Sequence, residues 1–252
     1  MKKSVLITGA SSGSGFAIAQ LFAERGMNVF ITSRNAADAE RAALILREQY
    51  PDVTIKGYQL SVGNEDKVIE MFDDIKNLGC PLTSLVLNAA NLGINTDPLT
   101  VELKEWMAVL ETNLGWNFSI ARQAALHMIE NGGGSIVFVG SNTYKRAIKN
   151  RSSYIASKGG IVALSKALAI DFGCYNIRVN TLVPGSIKTA RWDALGSEAQ
   201  EQKRKRVPIN NIADFDDLAN AAWFLATDLS KNITGTELII DGGADAQLFP
   251  NS

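Results

Sequence analysis

Short apolar runs alternate with amphipathic stretches from one end of the chain to the other, and that alternation limits the folds open to it. Val5-Leu6-Ile7, Val29-Phe30-Ile31, the stretch 53–58, Leu85-Val86-Leu87, Ile136-Val137-Phe138-Val139, the stretch 177–180 and Leu238-Ile239-Ile240 read as strands. Most are continuously apolar rather than alternating, as expected of strands covered on both faces in a parallel sheet. Helical spacing lies between them: Phe16, Ile18, Ala19, Leu21 and Phe22; then Ala42, Leu44 and Ile45; then Val68, Ile69, Met71, Phe72 and Ile75. Gly26 is placed to cap the first helix, and the second stops before Pro51. The pattern predicts one doubly wound α/β domain over residues 1–252, with a mostly or fully parallel seven-stranded sheet. The least regular stretch, 186–214, is predicted to leave the sheet.

Composition narrows the function. Lys and Arg total 25 against 26 Asp and Glu, a net charge of −1, so no overall basicity points to nucleic acid or a membrane surface. The apolar run after Lys2-Lys3 ends within three residues at Thr8-Gly9, too short for a secretory leader, and no stretch approaches membrane-spanning length. Cys80 and Cys174 form neither a CxxC nor a pair with a nearby histidine, which argues against a zinc site or a disulfide framework and suits a reducing cytoplasm. His127, the single histidine, falls in a helical stretch and is expected on the helix surface.

The first strand runs into Thr8-Gly9-Ala10-Ser11-Ser12-Gly13-Ser14-Gly15 and then a helix. Gly9 permits a tight turn. Gly13 and Gly15 let backbone approach a pyrophosphate, and the helix N-terminus offers free N–H groups and partial positive charge. At the end of the second strand, Ser33 stands where an acidic side chain would hold a ribose 2′-hydroxyl, and Arg34 follows. A guanidinium matches phosphate geometry, so NADP(H) is favoured, with NAD(H) left open.

Tyr154 and Lys158 stand four residues apart, one turn on one helix face, with Ser141 thirteen positions upstream. Free tyrosine holds its proton too tightly to act as a base at neutral pH. A neighbouring ammonium is expected to lower that pKa, and a hydroxyl to steady the oxygen that exchanges the proton.

The Thr-Gly-xxx-Gly-x-Gly turn, Asn113, Ser141 and the Tyr-x-x-x-Lys pair, in that order, resemble the short-chain dehydrogenase/reductase family over essentially the whole chain, its 3-oxoacyl-carrier-protein reductases and related carbonyl reductases among them. The resemblance implies a Rossmann fold and a catalytic set of Asn113, Ser141, Tyr154 and Lys158. Tyr154 would pass a proton to or from the reacting oxygen. Ser141 would bond that oxygen, Lys158 would lower the phenol pKa and hold the nicotinamide ribose, and Asn113 would help hold a relay water. The turn residues Gly9, Ser11, Ser12, Gly13, Ser14 and Gly15, then Ser33, Arg34, Leu60, Ser61, Asn88 and Ala89, and finally Pro184, Gly185, Ile187 and Thr189 would line the cofactor.

Several positions depart from the family pattern. Ser14 stands where an aliphatic residue is usual, Leu60 where an Asp often sits near the adenine, and Ala90 replaces a glycine. In relatives the region equivalent to 186–214 folds over the substrate as a lid. Enoyl reductases space Tyr and Lys further apart, so an enzyme interconverting a carbonyl and a secondary alcohol is expected. Sugar, polyol or hydroxysteroid dehydrogenases using either nicotinamide cofactor, and a non-catalytic NADP sensor, are the alternatives. The resemblance also implies a homotetramer built through the stretches 101–129 and 152–172 and the last strand. Two basic stretches, 145–151 and Lys203-Arg204-Lys205-Arg206, suggest an anionic substrate; a solvated loop and a solvated helix face are the plainer reading.

Overall fold

The computed structural model describes residues 2–248; Met1 and residues 249–252 lie outside the described part. Seven strands are involved: β1 (Ser4–Ile7), β2 (Asn28–Ser33), β3 (Ile55–Gln59), β4 (Leu82–Leu87), β5 (Gly134–Val139), β6 (Ile177–Pro184) and β7 (Glu237–Ile240). They form one sheet in the order β3-β2-β1-β4-β5-β6-β7, and every pairing is parallel. The order reverses between β1 and β4. A crevice opens there beyond the carboxyl ends of the strands, the usual ligand site of such sheets.

The continuous apolar strands are explained by helices on both faces. On one side Val5, Ile7, Val29, Ile31, Val86 and Val137 pack against α1 (Gly13–Glu24), α2 (Ala36–Gln49) and α9 (Phe215–Ala226). Their neighbours Leu6, Phe30, Leu85, Ile136 and Phe138 point the opposite way, onto α3 (Glu65–Asn77), α5 (Trp116–Glu130) and α6 (Ser152–Gly173). Each fully buried Leu, Ile or Phe contributes about 1.5–3 kcal/mol, so both faces must be covered for the sheet to be stable. Phe22 meets Trp223 edge-on at 5.0 Å, which locks α1 to α9. Asn35 starts α2 by accepting from the N–H groups of Ala37 and Asp38.

Three sequence expectations shift. The third strand starts at Ile55, because Val53 closes the turn after α2 by donating to the Tyr50 carbonyl and is buried beneath that helix. The fourth begins at Leu82 and the sixth continues to Pro184, since pairing with β1, β5 and β7 extends beyond the apolar runs. His127 is only 8% exposed, not on the helix surface. It packs 6.2 Å from the Phe72 ring, because α3 lies along that side of α5.

The stretch 186–214 does leave the sheet, but it is ordered. It holds α7 (Ala190–Asp193) and α8 (Ser197–Lys205), a small core of Trp192, Val207 and Ile212, and an isolated bridge between Ile187 and Ala213. α4 (Leu103–Leu110) runs into α5 through a π-turn at Glu111–Gly115.

Candidate active site

The Gly-rich turn is shaped by contacts that exclude a side chain. Gly9 has φ +63°, and a Cβ there would lie 2.9 Å from Ala89 Cα; a Cβ on Gly15 would meet the Gly9 carbonyl at 2.4 Å. Thr8 Oγ1 accepts the N–H groups of Asn88 and Ala89, each at 3.0 Å, binding the ends of β1 and β4 together. The Asn88 amide returns bonds to the carbonyls of Thr8 and Gly9, and Ser14 donates to Asn88 Oδ1 at 2.9 Å. The side chains of Asn88 and Ser14 thus brace the turn from inside. Ser12 caps α1 with no side-chain bond, and the first turn carries no acid, so the N–H groups and the positive end of α1 face the crevice unopposed. These features fit a pyrophosphate.

Ser11 Oγ reaches Ser33 Oγ at 3.3 Å, so the turn and the end of β2 meet. Arg34 is exposed and in no ion pair among the described residues. The Leu60 side chain is 6% exposed and belongs to the core, because its N–H pairs with the Ser33 carbonyl and turns the side chain inward, which leaves a contact near the adenine to its backbone or to Ser61. Ser61 beside it is exposed.

At the other end of the crevice, β5 delivers Ser141 and α6 delivers Tyr154 and Lys158. Ser141 is buried. Its oxygen accepts from Thr143 Oγ1 at 3.0 Å, and the Ser141 hydroxyl acts on the Tyr154 phenol to favour its ionised form. Lys158 is 2% exposed, its ammonium donating to the Val139 carbonyl at 2.7 Å and lying 5.6 Å from the Tyr154 ring. Burial with no facing carboxylate lowers its pKa to about 8.

Lys158 does not figure among the groups that act on the phenol pKa in this structure. Burial raises Tyr154 above the ordinary tyrosine value, and the Ser141 hydroxyl and the charge of Arg151 oppose that only in part. Tyr154 is therefore a neutral acid at pH 7.

Asn113 is fully buried in the π-turn. Its Oδ1 accepts the Asn91 N–H at 2.7 Å, and its Nδ2 donates to the Asn91 carbonyl and to Ser157 Oγ at 2.9 and 3.0 Å. Ser157 in turn donates to the Tyr154 carbonyl at 2.7 Å. Asn113 is thus tied to the helix bearing Tyr154 and Lys158 through Ser157. Its own carbonyl accepts from Asn117 at 2.9 Å. Asn91, Ser157 and Thr8 were missed as supports. Ser157 had a legible signal, since it stands three residues after Tyr154 on the same helical turn; Asn91 had none.

Across the crevice, β6 ends at Pro184. Gly185 lies so close to Asp241 that a Cβ would come within 2.6 Å of that residue's Cβ. Ile187 is half-buried at its bridge to Ala213, and Thr189 caps α7. The basic stretch 145–151 is not the open positive field its composition suggested. Lys145 pairs with Asp245 at 2.8 Å, Arg146 approaches the same carboxylate at 3.8 Å, and Arg151 donates to the carbonyls of Leu92 and Gly93. The acids come from the C-terminal segment, which no local count of charge reveals.

Residues 9–245 match the family model described as enoyl-(acyl carrier protein) reductase. The chain belongs to the short-chain dehydrogenase/reductase family. Within that family it is 34% identical to the 3-oxoacyl-[acyl-carrier-protein] reductase FabG of Chlamydia trachomatis, over 96% of this chain and 97% of that one. It is 33% identical to the same-named protein of Staphylococcus aureus, over 96% and 98%. Among solved structures, gluconate 5-dehydrogenase from Burkholderia cenocepacia in complex with NADP and tartrate superposes with a TM-score of 0.88 at 28% identity, covering 98% of this chain and 96% of that one. A putative gluconate dehydrogenase from Agrobacterium tumefaciens gives 0.89 at 29%, covering 98% and 97%. As a short-chain dehydrogenase/reductase the chain is an oxidoreductase, and its named relatives favour a reductase acting on a carbonyl or alcohol. No helix among the described residues is long and apolar enough to cross a membrane.

Proposed function

We propose that the protein interconverts a carbonyl and a secondary alcohol with NADP(H), using Tyr154 as the general acid and base. The observation that carries this reading is the meeting of three groups from two elements: the buried Ser141 hydroxyl at the end of β5, which acts on the Tyr154 phenol, and the buried Lys158 ammonium one turn further along α6, 5.6 Å from the Tyr154 ring. A neutral phenol kept protonated by burial is suited to donate to a developing alkoxide. Ser141 offers the same oxygen a second bond. Lys158 supplies positive charge beside the phenol as it gives up its proton. When bound, the nicotinamide supplies or accepts the hydride.

The α1 N-terminus and the turn Gly9–Gly15 would take the pyrophosphate, and Ser33 with the unpaired Arg34 the 2′-phosphate. Lys158 would hold the ribose, and Ile187 and Thr189 the carboxamide end. The stretch 186–214 would act as the lid. A homotetramer is supported by apolar side chains exposed on α4, α5 and α6, among them Leu103, Met107, Leu126 and Ile170.

The four-residue spacing of Tyr154 and Lys158 favours carbonyl over enoyl reduction. The gluconate dehydrogenases among the structural neighbours support a second reading, a sugar-acid or polyol dehydrogenase. NADPH oxidation with a panel of 3-oxoacyl thioesters, oxo sugars and ketones tests the proposal. Turnover of a thioester or an oxo sugar selects between the two readings, whereas NADPH binding with no turnover across the panel would make the protein a sensor.

A further inference from the structure

The run Lys203-Arg204-Lys205-Arg206 separates by helical position. Arg204 turns onto Glu201 at 3.0 Å and stacks over Trp192 at 5.8 Å. Lys203 and Arg206, three residues apart and so on one face, both line a cavity of about 230 Å³. Arg146 enters it from the loop after β5, and Asn142, Ser186 and Asn211 add polar walls. Neither Lys203 nor Arg206 takes part in an ion pair among the described residues.

The cavity's one carboxylate, Asp241, is occupied: its two oxygens accept the N–H groups of Gly243 and Asp245 at 2.9 and 2.7 Å. Asp245 opposes Arg146 alone of the three cations. Hydrogen bonding leaves Asp241 its charge, so three cations against two carboxylates leave a net positive surplus, on the side of Lys203 and Arg206, whose segment is pinned by the buried Val207 and by Gln247 Nε2 donating to the Arg206 carbonyl at 3.1 Å.

The cavity adjoins the reacting centre. Asn142 directly follows Ser141, Ser186 precedes Ile187, and a Cβ on Gly185 would lie 3.3 Å from Asn142 Nδ2. At about 30 Å³ per water, its volume is that of about eight waters, enough for the charged end of a substrate whose carbonyl sits at Tyr154.

We infer that Arg146, Lys203 and Arg206 form a subsite for an oxyanion carried by the substrate, a carboxylate or a phosphate, and so select anionic carbonyl compounds. This rests on the carbonyl–alcohol reading above. Its test is the double variant Lys203→Gln/Arg206→Gln, two exposed positions whose replacement leaves the core intact. Matched substrate pairs are compared: an oxo sugar acid with the neutral oxo sugar, and a 3-oxoacyl-coenzyme A with the phosphate-free N-acetylcysteamine thioester. The variant should raise KM for the anionic member of at least one pair about tenfold, roughly 1.4 kcal/mol, with kcat and the neutral member unchanged. A loss confined to the sugar pair identifies a carboxylate, and one confined to the thioester pair a phosphate.

Equal KM values for anionic and neutral members in both proteins would overturn the subsite while leaving the reductase reading intact. Should wild type turn over no carbonyl, that reading fails, and calorimetry with gluconate and with inorganic phosphate judges the subsite alone. Binding by wild type that weakens about tenfold in the variant supports it; no binding, or equal binding, overturns it.

Discussion

The Lys158 ammonium donates to the Val139 carbonyl at 2.7 Å, joining helix α6 to the end of the strand that leads to Ser141. That carbonyl is its only hydrogen-bond partner within the described chain, and the charge is otherwise stripped of solvent, which lowers the pKa to about 8. The unfolded chain keeps this proton up to about 10.5. Between those values the unfolded state binds more protons, so folding stability rises with pH, by about 1.4 kcal/mol per unit. Lys158→Met removes that dependence. Thermal melts from pH 7 to 10 should show wild type gaining on the variant as pH rises, even though the Val139 carbonyl loses its partner. Parallel curves would contradict the buried-cation assignment.

Asn113 holds three partners at once, the N–H and carbonyl of Asn91 and the hydroxyl of Ser157. Asn113→Leu keeps the number of side-chain heavy atoms, orphans the N–H and carbonyl of Asn91, and leaves Ser157 only its bond to the Tyr154 carbonyl. At about 1–3 kcal/mol for each group left unsatisfied, the loss should reach about 2 kcal/mol or more. At about 2–4 °C per kcal/mol for a chain of this size, Tm should fall by about 4 °C or more, with kcat lowered as α6 shifts. A stable, fully active variant would show that the clamp is dispensable.

Much of this arrangement was legible. Continuous apolar strands required a sheet covered on both faces, and the Gly-rich turn and the Tyr154–Lys158 spacing located the two ends of the crevice. What escaped was set by long-range contacts. The inward turn of the Leu60 side chain, set by one backbone bond to Ser33, has no local signal in the sequence. The basic stretch 145–151 looked unopposed because Asp245 and Glu237, its counter-charges, arrive from the other end of the chain. His127 was placed on a surface because a helical position alone does not reveal that α3 covers it.

His127 gives a pH test of that cover. Burial lowers its pKa below 6.5; Glu130 and Asp73 oppose the shift, and Lys76 adds to it. The unfolded chain then takes up the proton first, so stability is fully present above about pH 6.5 and is lost as pH falls below it. In melts between pH 7 and pH 5, His127→Met should lose less Tm than wild type. An identical loss would mean the ring is solvated.

Arg34 is exposed, unpaired and one residue beyond Ser33. Arg34→Ala should raise KM for NADPH about tenfold or more, in line with the loss of a charge-assisted phosphate contact of about 1.5–3 kcal/mol, and change KM for NADH little. An equal change for both would remove the 2′-phosphate assignment.

The proposed reaction depends most on the proton carried by Tyr154. Tyr154→Phe removes one oxygen and leaves the ring, Ser141 and Lys158 in place. The decisive measurement pairs turnover, followed as loss of reduced-nicotinamide absorbance with the best substrate of the panel, with NADPH binding by fluorescence titration. Turnover should fall by about 10²–10⁴, the range of a lost general acid, with the NADPH Kd within about twofold of wild type. Near-normal turnover with unchanged binding would contradict Tyr154 as the proton donor.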